Sequence, residues 1–281
     1  MKQVSVERIR DEFNKILFSP RPSRGLAIAD DLGVLQLFLP ELHSCRGFSQ
    51  DSMPENRDLF DHLLCCCDYA PLHSLEVRLA ALLHDIGKTE TRSESADGEI
   101  SYPAHEKHSA QMASEICNRL KYPRAFEKKV HHLIMHHMFQ VRGKDSDKAV
   151  RRFVSRVGRD DILDLLDLKN SDIAGKTGPF HDQQQNGNPL QAPVIPWLNE
   201  LRDRVGRLLQ QQSALTIGDL DINGNILHED AGIPKSREMK KVLLFLLEAV
   251  LDDPSMNSRK KLLTLASNYY RERILPLKED T

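Results

Sequence analysis

The segment that decides the fold of this chain is RLAALLHDIGK, residues 78–88, in which an apolar helical run ends in the pair His84-Asp85. Leucines recur through it at helical spacing, so the face that carries them is predicted to be buried. A carboxylate beside a buried face is unfavourable unless a partner offsets its charge. Imidazole nitrogen and carboxylate oxygen both suit divalent cations, and Lys88 offers a positive charge to a phosphate. Taken alone, the segment predicts either a metal-binding pair or a capped, solvated helix end.

Two further side chains on predicted apolar helix faces favour the metal-binding interpretation. His62 belongs to an amphipathic helix that precedes the pair. Asp172 shares an apolar stripe with two leucines, while the aspartates before it fall on the polar side of the same helix. An aspartate on an apolar stripe needs a partner, and a metal ion meets that need. We therefore expect His62 and Asp172 to converge on the His84-Asp85 pair.

A histidine-rich segment, VHHLIMHHM at residues 130–138, adds candidate ligands. Helical spacing places His137 on the apolar face and turns His132 and His136 towards solvent. Upstream of this segment lies His105, at a point where another helix is predicted to begin. His105 and His137 are therefore the second pair of histidines that we expect to point inward.

The order of these residues resembles that of the HD superfamily of metal-dependent phosphohydrolases: His62, His84-Asp85, His105, His137 and Asp172. Flanking segments extend the resemblance to bacterial tRNA nucleotidyltransferases, the CCA-adding enzymes. They are residues 5–12, 15–17, 19–22 and 39–42, similar to the region after the catalytic head of those enzymes, and residues 219–224 and 246–251, similar to their helical body.

The resemblance implies an all-α fold, with an HD helical core followed by a smaller helical body and tail. It implies a divalent metal ion, such as nickel, manganese, magnesium or cobalt, bound by four residues: His62, His84, Asp85 and Asp172. The residues expected to act in catalysis are Asp85, Lys88, His105 and His137, the two histidines by binding a second ion or by donating hydrogen bonds. The implied reaction is hydrolysis of 2′,3′-cyclic phosphates or other phosphoesters of nucleotides or RNA ends.

The alternative function is a tRNA-binding part of a nucleotidyltransferase, with a metal that only ties helices together. The head of those enzymes carries a Gly-Ser turn and an Asp-x-Asp pair, and no such unit precedes residue 5. We therefore expect this chain alone not to add nucleotides to tRNA. Its net charge of −2 requires any RNA contact to come from a local basic patch. The candidates near the C-terminus are Arg237, Lys240, Lys241, Arg259, Lys260 and Lys261, which otherwise form solvated helix faces.

Four segments are predicted. Residues 1–50 form a helical neck-like segment, residues 51–180 the HD domain, residues 181–196 a linker and residues 197–281 the helical body and tail. The linker is predicted from a polar, proline-bearing composition.

The five cysteines show no paired spacing, which predicts reduced thiols and a cytoplasmic protein. No signal peptide or membrane-spanning run is expected. Cys65 and Cys66 follow His62 by one helical turn, so a zinc–thiolate site is an alternative to three buried core thiols. Residues 219–230 match a calcium loop at four positions but end in Asp230, where that loop has glutamate. The body motif explains this segment without calcium.

Overall fold

The computed structural model of this chain describes residues 4–49, 57–177, 193–211 and 214–275. The fold is all-α, as the sequence predicts. The helices are α1 Val6–Leu17, α2 Pro22–Asp31, α3 Leu35–Phe38, α4 Pro40–His43, α5 Leu59–Tyr69, α6 Leu75–Leu83, α7 Lys88–Thr91, α8 His105–Arg119, α9 Arg124–His136, α10 Asp147–Val157, α11 Ile162–Thr177, α12 Pro196–Gln210, α13 Gly224–Ala231, α14 Arg237–Asp252 and α15 Arg259–Tyr269. Single turns of 3₁₀ helix span Ile217–Asp219 and Pro254–Met256, and a π-helical turn spans Tyr270–Ile274.

The sequence did not indicate one short hairpin. Strands β1, Ser93–Glu94, and β2, Ile100–Ser101, pair antiparallel, with Ser93 opposite Ser101. Strands of two residues are too short to show an alternation of polar and apolar side chains, so no pattern marks them in the sequence.

The chain forms two compact units. One comprises Met1–Gln140 and Asp161–Pro196, and the other comprises Val141–Asp160 and Trp197–Thr281. The first unit thus groups the neck-like segment with most of the predicted HD segment, and α10 groups with the C-terminal helices. The predicted linker lies outside the described residues up to residue 192, and α12 begins at its last residue. The division of the chain into four segments with separate roles stays a prediction.

Helix α5 is the centre of the first unit. It packs against α6 and α11, and ten of its eleven residues are buried. A helix buried nearly all round must be apolar on every face, and the three consecutive cysteines, all free thiols, fill that role as small core residues. Any polar side chain on α5 is therefore held in place by the helices around it.

Local sequence sets where the central helices begin. Asp58 caps α5 by accepting a hydrogen bond from the backbone N–H of Asp61 at 2.8 Å. Ser74 caps α6 in the same way through the N–H of Val77 at 3.2 Å. Such caps satisfy backbone donors that the first helical turn leaves unpaired. They fix the start of both helices and hence the register of the residues that follow.

Two glycines allow close approach between helices of the first unit. A Cβ atom at Gly87 would lie 2.6 Å from the backbone N of Ser109 in α8. A Cβ atom at Gly175 would collide with the Sγ of Cys66 and lie 3.0 Å from its backbone N in α5. Only glycine therefore permits the observed spacing of α7 from α8 and of α11 from α5.

In the second unit, the residues of the calcium-loop pattern act as helix caps. The Asp219 carboxylate accepts hydrogen bonds from the backbone N–H groups of Leu215 and Thr216. Asp221 accepts from the N–H of Arg259 at 2.8 Å, and Asn223 caps α13. These oxygens satisfy backbone donors at three helix starts, which accounts for the motif without calcium. None of the described helices combines the length and the hydropathy that crossing a bilayer requires.

We predict that Arg78→Met lowers the free energy of unfolding by about 3 kcal/mol, because three backbone carbonyl oxygens lose their buried, charged donor. Arg78 is fully buried in α6 and donates to the carbonyl oxygens of Leu17, Ser19 and Ala70. Urea denaturation measures the change. Arg92→Met is the control, since exposed Arg92 forms a surface ion pair with Glu94, two residues further along the chain, at 3.3 Å. Equal unfolding midpoints for both variants would contradict the role of Arg78.

A second prediction concerns Gly175. We expect Gly175→Ala to lower the free energy of unfolding by about 2 kcal/mol, because the added methyl group forces α11 away from Cys66. Gly206→Ala is the matched control, since no atom lies within 4 Å of a Cβ placed there. That substitution should raise stability by about 0.5–1 kcal/mol through helix propensity. Thermal melts followed by circular dichroism separate the two, and a stabilising Gly175→Ala would refute the close approach.

Candidate metal centre

Two buried carboxylates lie at the centre of the site. The side chains of Asp85, which follows α6, and Asp172, on α11, are 3% and 4% exposed. His62 Nε2 lies 3.8 Å from Asp85 Oδ2 and 3.5 Å from Asp172 Oδ1. His84 Nε2 lies 3.4 Å and 3.6 Å from the same two oxygens. The structure thus brings together the four residues that the sequence analysis grouped as metal ligands.

The other predicted catalytic residues surround Asp85. His105 Nε2, from the start of α8, and His137 Nε2, from the end of α9, lie 3.2 Å and 3.4 Å from its Oδ1. Lys88 Nζ lies 2.6 Å from Oδ2 and 5.4 Å from the centre of the Tyr102 ring. The Lys88 side chain is 10% exposed. Lys88 begins α7 after a break in the helix, so it reaches Asp85 rather than continuing the face of His84.

Three of the histidine rings are oriented by the backbone. The Nδ1 atoms of His84, His105 and His137 lie 2.9, 2.9 and 2.7 Å from the carbonyl oxygens of the residues three positions earlier. A carbonyl oxygen only accepts, so each Nδ1 donates a proton there. In the neutral ring, the lone pair is then on Nε2, which faces the carboxylates. Ligand histidines in metal sites are commonly oriented in this way.

Several buried polar atoms of the site make no hydrogen bond within the described residues. They are His84 Nε2, Asp85 Oδ1, His105 Nε2, His137 Nε2 and Asp172 Oδ1, the last of which lies in an ion pair with Lys176. Buried polar atoms are normally paired, and each exception needs an explanation such as an ion. These five atoms are nitrogen and oxygen donors of the kinds that bind divalent first-row metals. The residues present therefore fit a divalent metal ion.

The carboxylates are held in the ionised form that binds metal. Burial by itself would raise the pKa of Asp85, but the neighbouring His84 and Lys88 hold that pKa well below its usual range. Burial opposes ionisation of Asp172 too, and His62 and His84 outweigh it, so its pKa also lies well below the usual range. Burial lowers the pKa of His137, which keeps its imidazole neutral. Burial would lower the pKa of His105 too, but Asp85 outweighs it and raises that pKa above its ordinary value. The site thus combines ionised carboxylates with the neutral imidazole of His137 and a His105 ring whose protonated form is favoured.

Cys66 lies beside this cluster. One ligand atom each from His62, Cys66, His84 and Asp172 lie within 4.8 Å of one another. The Cys66 Sγ is 3.5 Å from both ring nitrogens of His62, so it is not in line with the lone pair of either. Burial and the charge of Asp172 raise the pKa of this thiol well above its usual value. The zinc–thiolate alternative therefore rests on Cys66, since Cys65 is not part of this group.

The sequence analysis missed two lysines at the site. Lys169 Nζ lies 3.1 Å from Asp172 Oδ2, and Lys176 Nζ lies 2.9 Å from Asp172 Oδ1. Burial would lower the pKa of Lys176, but Asp172 raises it, so its ammonium form is favoured. Lys169 lies three residues before Asp172 and Lys176 lies four residues after it, so all three side chains share one face of α11. This spacing was the sequence feature from which both lysines could have been predicted.

The remaining histidines of α9 lie outside the cluster. His132 and His136 pack edge to face with ring centres 4.5 Å apart, and His132 Nε2 is 3.9 Å from Asp161. His131 Nδ1 lies 3.1 Å from the carbonyl oxygen of Ala110. All three are half-buried rather than turned fully to solvent. Among the described histidines of this segment, His137 alone contacts Asp85, in line with its expected inward position.

The predicted RNA-binding residues fall into two groups on the second unit. Arg237, Lys240 and Lys241 are exposed on the first turns of α14. Arg259, Lys260 and Lys261 are exposed at the start of α15, which follows the opposite end of α14. Arg259 pairs with Asp230 at 2.7 Å. At a rise of 1.5 Å per residue, the two groups lie about 20 Å apart along α14.

Comparisons with known proteins agree with this geometry. Residues 57–176 match the family model described as the HD domain. Residues 1–46 match the model described as a probable RNA and SrmB-binding site of polymerase A. The six clustered histidines and aspartates, His62, His84, Asp85, His105, His137 and Asp172, all fall within the first match, which covers the central part of the chain.

Known relatives match part of the chain. An A-adding tRNA nucleotidyltransferase from Deinococcus radiodurans is 36% identical over 178 residues, which are 62% of this chain and 40% of the relative. A CC-adding tRNA nucleotidyltransferase from Thermus thermophilus is 33% identical over 178 residues, 61% of this chain and 40% of the relative. A multifunctional CCA protein from Burkholderia cenocepacia is 37% identical over 121 residues, 42% of this chain and 28% of the relative.

The chain spans well under half the length of these relatives. The match to the HD family, the helical fold and the order of the clustered residues all agree with the resemblance seen in the sequence. The chain therefore contains an HD domain, a fold of metal-dependent phosphohydrolases, and is related to the bacterial tRNA nucleotidyltransferases over about three fifths of its length.

Proposed function

We propose that this chain is a metal-dependent phosphohydrolase that acts on phosphoesters of nucleotides or RNA ends, including 2′,3′-cyclic phosphates. His62, His84, Asp85 and Asp172 bind one divalent ion in this proposal. The observation that carries it is the set of buried nitrogen and oxygen atoms without hydrogen bonds that face one point. A helix bundle held only by packing has no use for such atoms, because each is costly to bury.

The chain's own side chains have separate roles in the proposed hydrolysis. A bound divalent ion polarises a phosphoryl oxygen and lowers the pKa of bound water. Lys88, at the edge of the cluster, offsets the charge of the phosphate. His105 and His137 present Nε2 towards the same space. His105, whose pKa Asp85 raises, is placed to donate from Nε2 to the phosphate or to the leaving oxygen in its protonated form. The neutral His137 offers the lone pair of Nε2 to a second ion or to the proton of a water molecule. The surrounding apolar core excludes bulk water and strengthens these interactions.

The test is Asp85→Asn, which keeps the shape of the side chain and removes its charge. We expect bound metal to fall about tenfold or more and hydrolysis of bis(p-nitrophenyl) phosphate to fall about 100-fold or more. Elemental analysis after dialysis gives the metal content, and p-nitrophenolate release gives the rate. His136→Gln, outside the cluster on α9, is the control and should leave both unchanged.

Two outcomes would contradict the proposal. Metal content that is equal in wild type and Asp85→Asn would remove Asp85 from the ligand set. Metal loss in the variant, combined with no phosphoester hydrolysis by wild type under any of the four metals named above, would leave a structural metal. Circular dichroism of each variant shows whether the helical fold is retained.

A second candidate function, tRNA binding, is proposed from a separate observation. The first turns of α14 present Arg237, Lys240 and Lys241 to solvent, and the relatives named above act on tRNA. Exposed cations grouped in this way are the kind of surface that RNA phosphates bind. This function and the phosphohydrolase activity are compatible, because the two sets of residues belong to different compact units.

We predict that Lys240→Glu with Lys241→Glu weakens tRNA binding and reduces its salt dependence, because each lost phosphate contact releases about one counterion fewer. Fluorescence anisotropy with labelled tRNA across a salt series measures both quantities. Reversal of exposed Lys107 and Lys128, on the other unit, is the charge-matched control. Wild-type binding that is absent, or insensitive to salt, would eliminate this second candidate.

A further inference from the structure

The carboxylate of Asp172 contacts two ammonium groups, which would compete with a metal ion for its oxygens. Lys169 Nζ is 3.1 Å from its Oδ2, and Lys176 Nζ is 2.9 Å from its Oδ1. Oδ1 is the oxygen that faces His62 and His84. The ammonium group of Lys176 therefore lies against the same oxygen that a metal ion between those histidines would use.

A divalent ion and an ammonium group compete for one carboxylate oxygen in a buried site, because their repulsion is only weakly screened there. Lys176 is the group that is able to move. Its side chain is 36% exposed, whereas Asp172 is 4% exposed. Four flexible methylene groups let the ammonium turn outward towards solvent without movement of α11. Lys169, at 15% exposure, is more confined.

Asp85 shows the same arrangement on the other side of the cluster. Lys88 Nζ is 2.6 Å from Asp85 Oδ2, the oxygen that faces His62 and His84. Each of the two central carboxylates therefore carries an ammonium group on its inner oxygen. When metal binds to these oxygens, the ammonium groups of Lys88 and Lys176 are displaced from them. Both side chains are long enough to stay beside the metal centre, at the side from which a substrate phosphate would approach, which we call the mouth of the site.

We infer that Lys169 and Lys176 form, together with Lys88, a phosphate-binding set at the mouth of the metal centre that selects dianionic phosphomonoesters over monoanionic phosphodiesters. The inference rests on the proposed phosphohydrolase function and narrows its substrate class. Lys88 and Lys176 serve as counter-ions of the carboxylates without metal and as ligands of the phosphoryl oxygens with it.

Charge explains the direction of the selection. A terminal phosphomonoester carries a second negative charge near neutral pH, since its second pKa is about 6. A phosphodiester carries one charge and has one fewer free oxygen. Three ammonium groups and a divalent ion leave a large positive excess at the mouth, which a dianion offsets better. Hydrogen bonds between ammonium and phosphate oxygens are charge-assisted and stronger than neutral ones.

Binding measurements on purified full-length chain test the inference without any turnover. Isothermal titration of Lys176→Gln with Mn²⁺ should show metal affinity raised about threefold or more, because Asp172 loses a competing cation. Titration of the Mn²⁺-loaded variant with inorganic phosphate should show affinity lowered about tenfold. Lys169→Gln should change both in the same directions. Unchanged metal and phosphate affinities in both variants would overturn the inference.

Lys128→Gln is the matched control. This exposed lysine of α9 lies nine residues before His137, which places it about 180° around the helix from the cluster. It should change neither affinity. Lys176→Arg keeps the charge and should retain most of the phosphate affinity, which separates a role in binding from one in folding.

Kinetics then test the selectivity. For Lys176→Gln, kcat/KM should fall about tenfold with p-nitrophenyl phosphate and by no more than about twofold with bis(p-nitrophenyl) phosphate. An equal fall with both substrates would refute selection by charge. If wild type hydrolyses neither ester, the proposed function fails, while the Mn²⁺ and phosphate titrations still decide whether these lysines bind phosphate.

Discussion

The burial of two like charges close together is the constraint on which the first unit depends. Asp85 and Asp172 come from different helical segments and meet among packed helices, where burial removes most of the hydration that would stabilise their charge. Repulsion between them would unfold the unit unless cations intervene. Four histidines and three lysines are arranged around these two side chains, so the positions of α5, α6, α8, α9 and α11 all serve the same electrostatic need.

The sequence was sufficient to predict those parts of the fold and of the site that depend on the 3.6-residue spacing of helices. Helical spacing alone placed His62, His137 and Asp172 on inward faces, and the structure brings each of them to the cluster. The all-α class followed from the same spacing and from the lack of alternation. The family resemblance joined these separate inward residues into one site, which spacing on single helices is unable to do.

Other features depend on contacts between segments that no local pattern records. The grouping of α10 with the C-terminal helices is such a contact, and it crosses the predicted segment boundary. Helix α11 packs this closely against Cys66 of α5 only because Gly175 lacks a side chain. The division of the basic residues between two ends of α14 also escaped prediction, since closeness along the chain is not closeness in space. Lys176 is different, because its spacing from Asp172 was readable and was overlooked.

The backbone anchoring of three histidine rings has a consequence for how this site tolerates mutation over time. His84, His105 and His137 each donate from Nδ1 to the carbonyl oxygen three positions earlier, at Ala81, Tyr102 and Ile134. Every amino acid supplies that same carbonyl oxygen. The local backbone conformation, and not a partner side chain, therefore sets the orientation of each ring. As a consequence, the residues at Ala81, Tyr102 and Ile134 can be substituted without loss of the hydrogen bond that orients the histidine.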